Sequence, residues 1–587
     1  MSKILSKASA LTILLSFACM LVTAQSVLRG KIIDKAGKPI QGVSVSELDA
    51  DNRIVKGAQT DVAGNYVLNN ASVAKNRISV SFIGYKTITQ KINGRTSINL
   101  TLEEIQGDLG EVVITARPTS SNGMMNIPEK NLTTAVAKIN AKELEEMQAP
   151  SIDQALQGRL SGVDITATSG DPGAAMNIRI RGVSSINSTG IPMIVLDGMP
   201  YETEIPSDFN FGTADEQGYA QLLNISPADI MTISVLKDAA ATAIWGARAA
   251  NGVLVITTKR GSIGKPSINY NFKGSASLVP TPIPLLNGDQ YSSLIPEAFM
   301  NRIGTTLNTT TSREFNYDPN DPYWFRNYSN NTNWIDAISR TGYIQDHTIS
   351  LNGGGEKAKY FASVGYFDQQ GITIGTALQR ISTRINLDYN VSEKIKFFTS
   401  FSYTHSDQSR NYLGSSAASG ESSIRGMAYI KMPNQSVFEY NDRGEPTTNY
   451  FSPAANIQGQ YSRVYNPVAM ADKAMSTIYG DRVIPRFQVD YDIVKKVLKA
   501  TFDVQLDINS TKNSSFLPQI ATGRPNTETV VNRAYNGDID AFSVGTKTSL
   551  IYTPKIKNQN HDLQAFMNVL TSDYKAVFQE AMTSNTA

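Results

Sequence analysis

Ile178-Arg179-Ile180-Arg181-Gly182 opens the stretch on which the fold turns, an alternating strand closed by a glycine. The stretch runs on through Pro192-Met193-Ile194-Val195-Leu196-Asp197-Gly198-Met199-Pro200, an apolar strand ending in a turn. It closes with Asp229-Ile230-Met231-Thr232-Ile233-Ser234-Val235-Leu236-Lys237-Asp238, and then with Gly246-Ala247-Arg248-Ala249-Ala250-Asn251-Gly252-Val253-Leu254-Val255-Ile256-Thr257-Thr258-Lys259. The local reading is strand, short helix, strand: Asp238 can cap a helix over 239–243, and Asn251-Gly252 supplies a turn before a β-branched run. Taken alone, such a unit also fits an ordinary soluble α/β domain, so the flanking sequence has to decide.

Downstream of Gly261 the character changes to long strands with strict two-residue alternation. In Arg384-Ile385-Asn386-Leu387-Asp388-Tyr389-Asn390-Val391 every polar residue falls on one face and every apolar residue on the other. The same holds for Arg486–Ile493 and Thr501–Ile508, and more loosely for Ser267–Leu278, Tyr360–Phe367, Phe397–His405 and Phe542–Thr553. A soluble sandwich shows this pattern with its polar face in water. A membrane barrel shows it with the polar face in the lumen, because a charge on the lipid face at midplane costs about 2–4 kcal/mol. Upstream, Val27–Ile33, Val43–Leu48, Tyr66–Leu68, Ile78–Phe82 and Ile98–Leu102 read as short strands between glycine- and asparagine-bearing turns, the spacing of a small β-sandwich. Ahead of the central stretch, Ala141–Leu160 has a helical rhythm broken at Pro150, with Ser151-Ile152-Asp153-Gln154 as a possible cap for its second part.

The central words, in this order, resemble the plug domain of TonB-dependent outer-membrane transporters of the SusC/RagA-like branch. Asp346-His347-Thr348-Ile349-Ser350-Leu351-Asn352-Gly353-Gly354-Gly355, with Tyr360–Gly371, resembles a hairpin of the same family's barrel. Gly30-Lys31-Ile32-Ile33-Asp34, Thr60-Asp61-Val62-Ala63-Gly64-Asn65-Tyr66 and Phe82-Ile83-Gly84-Tyr85 look like a carboxypeptidase-regulatory-like domain, which carries no peptidase activity by its name. The plug motif then comprises Arg179, Arg181, Gly182, Asp197, Gly198, Lys237, Asp238, Gly246 and Arg248. Its charges fit salt bridges between plug and barrel wall better than direct substrate contact.

Between sandwich and plug, Glu111-Val112-Val113-Ile114-Thr115-Ala116 follows an acidic, glycine-bearing spacer. It is either the last strand of the sandwich or, as its position and wording imply by resemblance, a TonB box. An extended segment suits that role, because it adds itself to a partner's sheet through main-chain bonds.

Composition bears on compartment. Met1–Ala24 has Lys3 and Lys7, an apolar run over 10–22 and a small-residue end, Val22-Thr23-Ala24, so a secretory signal is expected with the mature chain starting at Gln25. Lys+Arg 54 against Asp+Glu 52 gives +2; removing two lysines leaves 52 against 52, net zero, with no basic footprint for nucleic acid. The one cysteine, Cys19, lies inside the signal, and Ser16 stands where a lipoprotein signal needs an aliphatic residue. No disulfide or thiolate metal site is then expected. No later run approaches the ~20 apolar residues of a spanning helix.

Enzyme chemistry finds little footing. The residues three after His347, His405 and His561 are Ser350, Gln408 and Gln564, so no His-x-x-Glu zinc pair exists. Three scattered histidines also argue against a Ser-His-Asp hydrolase. Gly261-Ser262-Ile263-Gly264-Lys265 is too short for a phosphate loop and reads as the turn from plug to barrel. Tyr317, Tyr323, Trp324 and Trp334 concentrate aromatic faces among Asn and Asp, which suits substrate contact, an interfacial girdle or loop packing alike. Asp318 and Asp321 alone do not make a calcium loop.

The expected fold is mainly β: signal 1–24, sandwich 25–102, linker with box 103–118, α/β plug 119–262, and antiparallel strands of a partial barrel over 263–587. The resemblance implies no enzyme activity and no cofactor or metal. It implies TonB-dependent import of oligosaccharides or peptides across the outer membrane, with sandwich and plug on the periplasmic side. The implied partners are TonB with its ExbB/ExbD energising complex, a SusD-like surface lipoprotein, the glycan or peptide substrate and outer-membrane lipid. The alternative is an exported sandwich-plus-plug that binds a partner without transport. Roughly eight strands can be placed after Ser267, against the ~22 that enclose a plugged lumen, and the ending Met582–Ala587 is polar. The expectation is therefore a truncated transporter, inactive alone.

Overall fold

The computed structural model describes residues 27–49, 54–69, 76–82, 85–103, 119–121, 126–128, 136–141, 143, 151–167, 169–174, 176–182, 192–201, 224–307, 312–412, 423–451, 464–523, 531–554, 556 and 563–584. The signal segment 1–24, the box Glu111–Ala116 and the expected helix before Ser151 lie outside these, apart from 141 and 143. The chain divides into two compact units, one holding the sandwich and the other holding the plug and most of the long-stranded wall.

The sandwich consists of β1 (Leu28–Asp34), β2 (Ser44–Leu48), β3 (Ile54–Gln59), β4 (Asn65–Leu68), β5 (Arg77–Ser81), β6 (Ile88–Lys91) and β7 (Leu100–Leu102). They form a three-stranded sheet, β4-β1-β7, and a four-stranded sheet, β3-β2-β5-β6. Inward residues of the two sheets, among them Leu28, Ile32, Val45, Tyr66, Leu68, Ile78 and Val80, close one core. The Tyr66 hydroxyl donates to the Ile98 carbonyl at 2.8 Å. β3 and β6 are edge strands without a strongly alternating apolar pattern, which is why the sequence reading passed over them.

The plug begins with a short hairpin, β8 (Thr119–Ser121) and β9 (Asn126–Pro128), followed by β10 (Val136–Asn140). Helix α1 (Ile152–Leu156) precedes the hairpin β11 (Val163–Ala167) and β12 (Met176–Ile180). Then come β13 (Met193–Leu196), β14 (Met199–Tyr201), β15 (Ile230–Leu236), α2 (Ala239–Thr242) and β16 (Val253–Thr258). The main sheet has the order β10-β15-β16-β13-β14. β13 and β16 pair in parallel and are buried along almost their whole lengths, as a continuous apolar run requires when both faces are covered. Asp238 does occupy the N-cap position of α2, but its side chain makes no cap bond. The carboxylate is bonded instead to Arg181, so the expected cap is corrected to an ion pair between the β12 end and the helix start.

The wall is a nine-stranded antiparallel sheet in chain order: β17 (Gly264–Ser277), β18 (Gly342–Gly354), β19 (Ala358–Gln370), β20 (Ala377–Asn390), β21 (Ile395–Arg410), β24 (Met475–Val494), β25 (Leu498–Leu517), β26 (Arg533–Tyr552) and β27 (Ala565–Thr583). The hairpin β22 (Phe438–Tyr440) and β23 (Pro446–Tyr450) lies in the long connection between β21 and β24. Among the described residues β17 and β27 do not pair with each other, so the sheet is open. The count of eight is corrected to nine. β27 was missed because both of its faces mix apolar with polar residues: Met567, Val569, Asp573 and Lys575 on one, Phe566, Asn568, Leu570 and Ser572 on the other.

Short turns join the strands at one end of the wall, and long connections at the other build a core of their own. That core draws on Trp334 and Ile335 of α5 (Trp334–Ala337), Met427 of α6 (Ile424–Ile430), Met470 of α7 (Pro467–Lys473) and Ala521 of α8 (Gln519–Thr522). The connection before β18 also carries α3 (Gly288–Ile303) and α4 (Trp324–Tyr328).

Candidate functional site: the plug hairpin on the wall

Burial along the wall is inverted relative to a soluble sheet. Arg380, Arg384, Asn386, Arg482, Arg486, Asp503, Gln505, Asp507 and Lys547 are buried, while Ile381, Ile385, Phe401, Phe487, Phe502, Ile508 and Phe542, from the other face, are exposed. The buried polar face meets the plug, and the β13–β14 hairpin is one of the points of contact. Its turn, Asp197-Gly198, has positive φ at both residues, 52° and 89°, the backbone of a two-residue hairpin whose twist suits its strands.

Asp197 accepts hydrogen bonds from the backbone N–H of Thr258 at 2.8 Å and its hydroxyl at 2.7 Å, tying the hairpin tip to the end of β16. On the wall side, Arg384 Nη1 stands 3.7 Å from Asp197 Oδ2, and Arg384 Nε stands 3.9 Å from Asp229 Oδ2. Burial opposes ionisation of Asp197. The guanidinium groups of Arg260, Arg384 and Arg486, with the Thr258 N–H, outweigh it and hold the carboxyl below its ordinary range. Asp229 also accepts from the Ser363 hydroxyl, and Arg260 pairs with Asp388 at 2.9 Å.

Main-chain oxygens of the same hairpin are held as well. Lys547 Nζ donates to the Gly198 carbonyl at 2.8 Å, and Gln505 Nε2 donates to that of Pro200 at 3.3 Å. The Arg482 guanidinium lies 3.8 Å from the centroid of Tyr201. Two-pronged pairs back this contact from within the wall: Arg486 with Asp503 at 2.9 and 2.6 Å, and Arg482 with Asp507 at 2.9 and 2.5 Å. A fork of this kind fixes an arginine's direction as well as its charge. A second contact lies on the β11–β12 connection, where Gln408 Nε2 donates to the Pro172 carbonyl at 2.6 Å.

Of the plug-motif charges, Asp197 reaches the wall. Arg181 pairs with Asp238, and Lys237 donates to the Ser161 carbonyl, both within the plug. Arg179 is exposed opposite Asp164, and Arg248 is exposed on the short turn after Gly246, which has φ 70°. Gly182 follows Arg181 with φ 88°. The sequence reading did not single out Asp229, Thr258, Arg260, Arg384, Arg486, Asp503 or Lys547. The available signal was the charge on the polar face of each alternating strand.

The four aromatic candidates separate. Trp324 and Trp334 are buried, their indole N–H groups donated to the carbonyls of Arg313 at 2.7 Å and Met432 at 2.9 Å. The Tyr323 hydroxyl donates to Asp442. Tyr317 is exposed and stacks on exposed Phe325 with centroids 5.0 Å apart, both edge-on to Trp324. Asp318 and Asp321 face Arg313 at 2.8 and 3.8 Å. Among the described residues no group of three potential metal ligands occurs, and no helix is long and apolar enough to cross a membrane.

Residues 128–253 match the TonB-dependent Receptor Plug Domain family, and residues 28–114 match the CarboxypepD_reg-like domain family. The chain is 29% identical to TonB-dependent receptor SusC of Bacteroides thetaiotaomicron over 80% of its own length and 43% of that protein. It is 30% identical to TonB-dependent receptor P26 of Formosa agariphila over 82% of its own length and 44% of that protein. In fold it resembles the RagAB peptide transporter structure, with TM-score 0.60 and 22% identity over 78% of this chain and 49% of that one. It thus spans a little under half the length of the curated relatives it matches. Those relatives are receptors and transporters, not enzymes. With a CarboxypepD_reg-like domain and a TonB-dependent receptor plug domain in one chain, the protein is similar to the SusC-like TonB-dependent receptors.

Proposed function

We propose that the chain serves TonB-dependent import of oligosaccharides or peptides across the outer membrane, as the SusC-like component beside a SusD-like surface lipoprotein. The observation that carries this reading is a plug hairpin docked by charge on the buried polar face of a wall whose other face is apolar. An apolar outer face suits lipid, and a charged lumen face suits a plug that is held but removable. In this reading the sandwich and plug lie on the periplasmic side, and outer-membrane lipid covers the exposed Ile381, Ile385, Phe487 and Phe502. TonB, energised by ExbB/ExbD, grips Glu111–Ala116 by strand addition and pulls on the plug. The exposed ring faces of Tyr317 and Phe325 are the aromatic surface best placed to meet a ligand. The work is conformational, with no covalent step.

The test is a pull-down of the full chain by the TonB C-terminal domain. Val113→Pro removes a backbone donor from the box and should abolish capture while leaving the plug folded. Undiminished capture places the box elsewhere.

A further inference from the structure

Helix α1 is buried on nearly every side. Ile152, Ala155 and Leu156 are core residues, and Asp153 between them keeps 1% of its surface. The strands packed on it present Ile165 from β11 and Ile178 and Ile180 from β12. The charged residues of those strands, Asp164 and Arg179, are cross-strand partners on the exposed face. The Asp153 carboxylate therefore meets neutral donors: the Ser151 hydroxyl, its own N–H and the Gln154 N–H at 3.2 Å. Among the described residues no cation stands within ion-pair distance of it. Hydrogen bonds from those donors favour the charged carboxylate, but here the cost of burying it without a counter-ion is larger.

We propose that Asp153 is a built-in weak point of the plug: its carboxylate, buried and without a cation beside it among the described residues, loosens the Ser151–Leu160 segment, setting how readily that part of the plug yields to a pull. The consequence for transport rests on the coupling role proposed above, but the weak point does not.

Burial pushes the Asp153 carboxyl from 3.8 up to about 6. A raised carboxyl stabilises the folded segment below the unfolded value, and that stability is lost as pH rises through the folded one. Opening of the segment should accordingly increase about tenfold between pH 5 and pH 8.

Thiol labelling of the full chain reads this directly. With Cys19→Ser and Ala155→Cys, the labelling rate reports opening of α1, and dividing by the rate in an added Asp153→Asn background removes the thiol's own pH dependence. The ratio should climb about tenfold from pH 5 to pH 8, and Asp153→Glu should preserve the climb. A flat ratio, or faster labelling of the Asp153→Asn protein at pH 8, overturns the proposal. TonB is absent from this measurement, so its failure and a failed pull-down are separate results.

Discussion

Replacing Asp197 with asparagine removes one charge from the plug–wall contact and keeps the side chain's shape. The amide oxygen can still accept the Thr258 N–H, now at 2.8 Å from the carboxylate. The amide NH₂ then faces Arg384, where a second donor is unwelcome. At 3.7 Å and an effective dielectric of about 20, the lost attraction is of order 4 kcal/mol. Part of it is offset if Arg384, freed from Asp197, closes on Asp229, which already stands 3.9 Å away. Exchanging charge-assisted bonds to Thr258 for neutral ones costs about 1 kcal/mol more. The balance is a loss of about 3 kcal/mol, or on the order of a hundredfold more frequent release of the hairpin, in line with breaking a buried pair from one side. Hydrogen exchange over 193–201 and 253–258 in the purified full chain measures it. A double-mutant cycle with Arg384→Gln should give a coupling of about 1–3 kcal/mol. Exchange changed by less than about threefold, or additivity within about 0.5 kcal/mol, would refute the reasoning. The wild-type contact should also weaken in acid, because a depressed carboxyl stabilises above its unfolded value and loses that stability as pH falls through the folded one.

Gly252 has φ 93°, and a Cβ there would lie 2.6 Å from Ile180 Cδ1. Gly252→Ala should therefore lower the plug's unfolding midpoint by the equivalent of at least about 1–3 kcal/mol, and an unchanged denaturation curve would contradict this. Lys431, buried at the end of α6, donates to the Val464 carbonyl at 2.9 Å. Burial pushes its ammonium down to about 7, against a smaller opposing pull from Glu314. A depressed lysine favours the folded loops above its unfolded value near 10.5 and loses that stability as pH falls toward about 7. Lys431→Met should thus stabilise the loop core at pH 7 by several kcal/mol, with about 5 as a ceiling, and by nothing near pH 11, as read by limited proteolysis across pH.

Strand alternation and turn words made the class of fold legible from the chain alone. Side chains on a strand point alternately to two faces, so eight of the nine wall strands declared themselves locally. The Asp197-Gly198 and Asn251-Gly252 turns were legible for a similar reason, since they ask for positive φ from residues that tolerate it. β27 escaped because an edge strand with both faces mixed lacks the local signature. Pairing of charge was a different matter. That Arg384 meets Asp197 and Asp229, that Arg486 forks onto Asp503, and that Lys547 holds the Gly198 carbonyl depend on strands remote in the chain being laid side by side. The sequence marked each of these residues as polar-face and could say no more, because electrostatic partners are set by distance in space. Asp238 and the two tryptophans show the same limit: a residue suited to a cap or a ligand went to an ion pair or the core once tertiary neighbours offered a better partner.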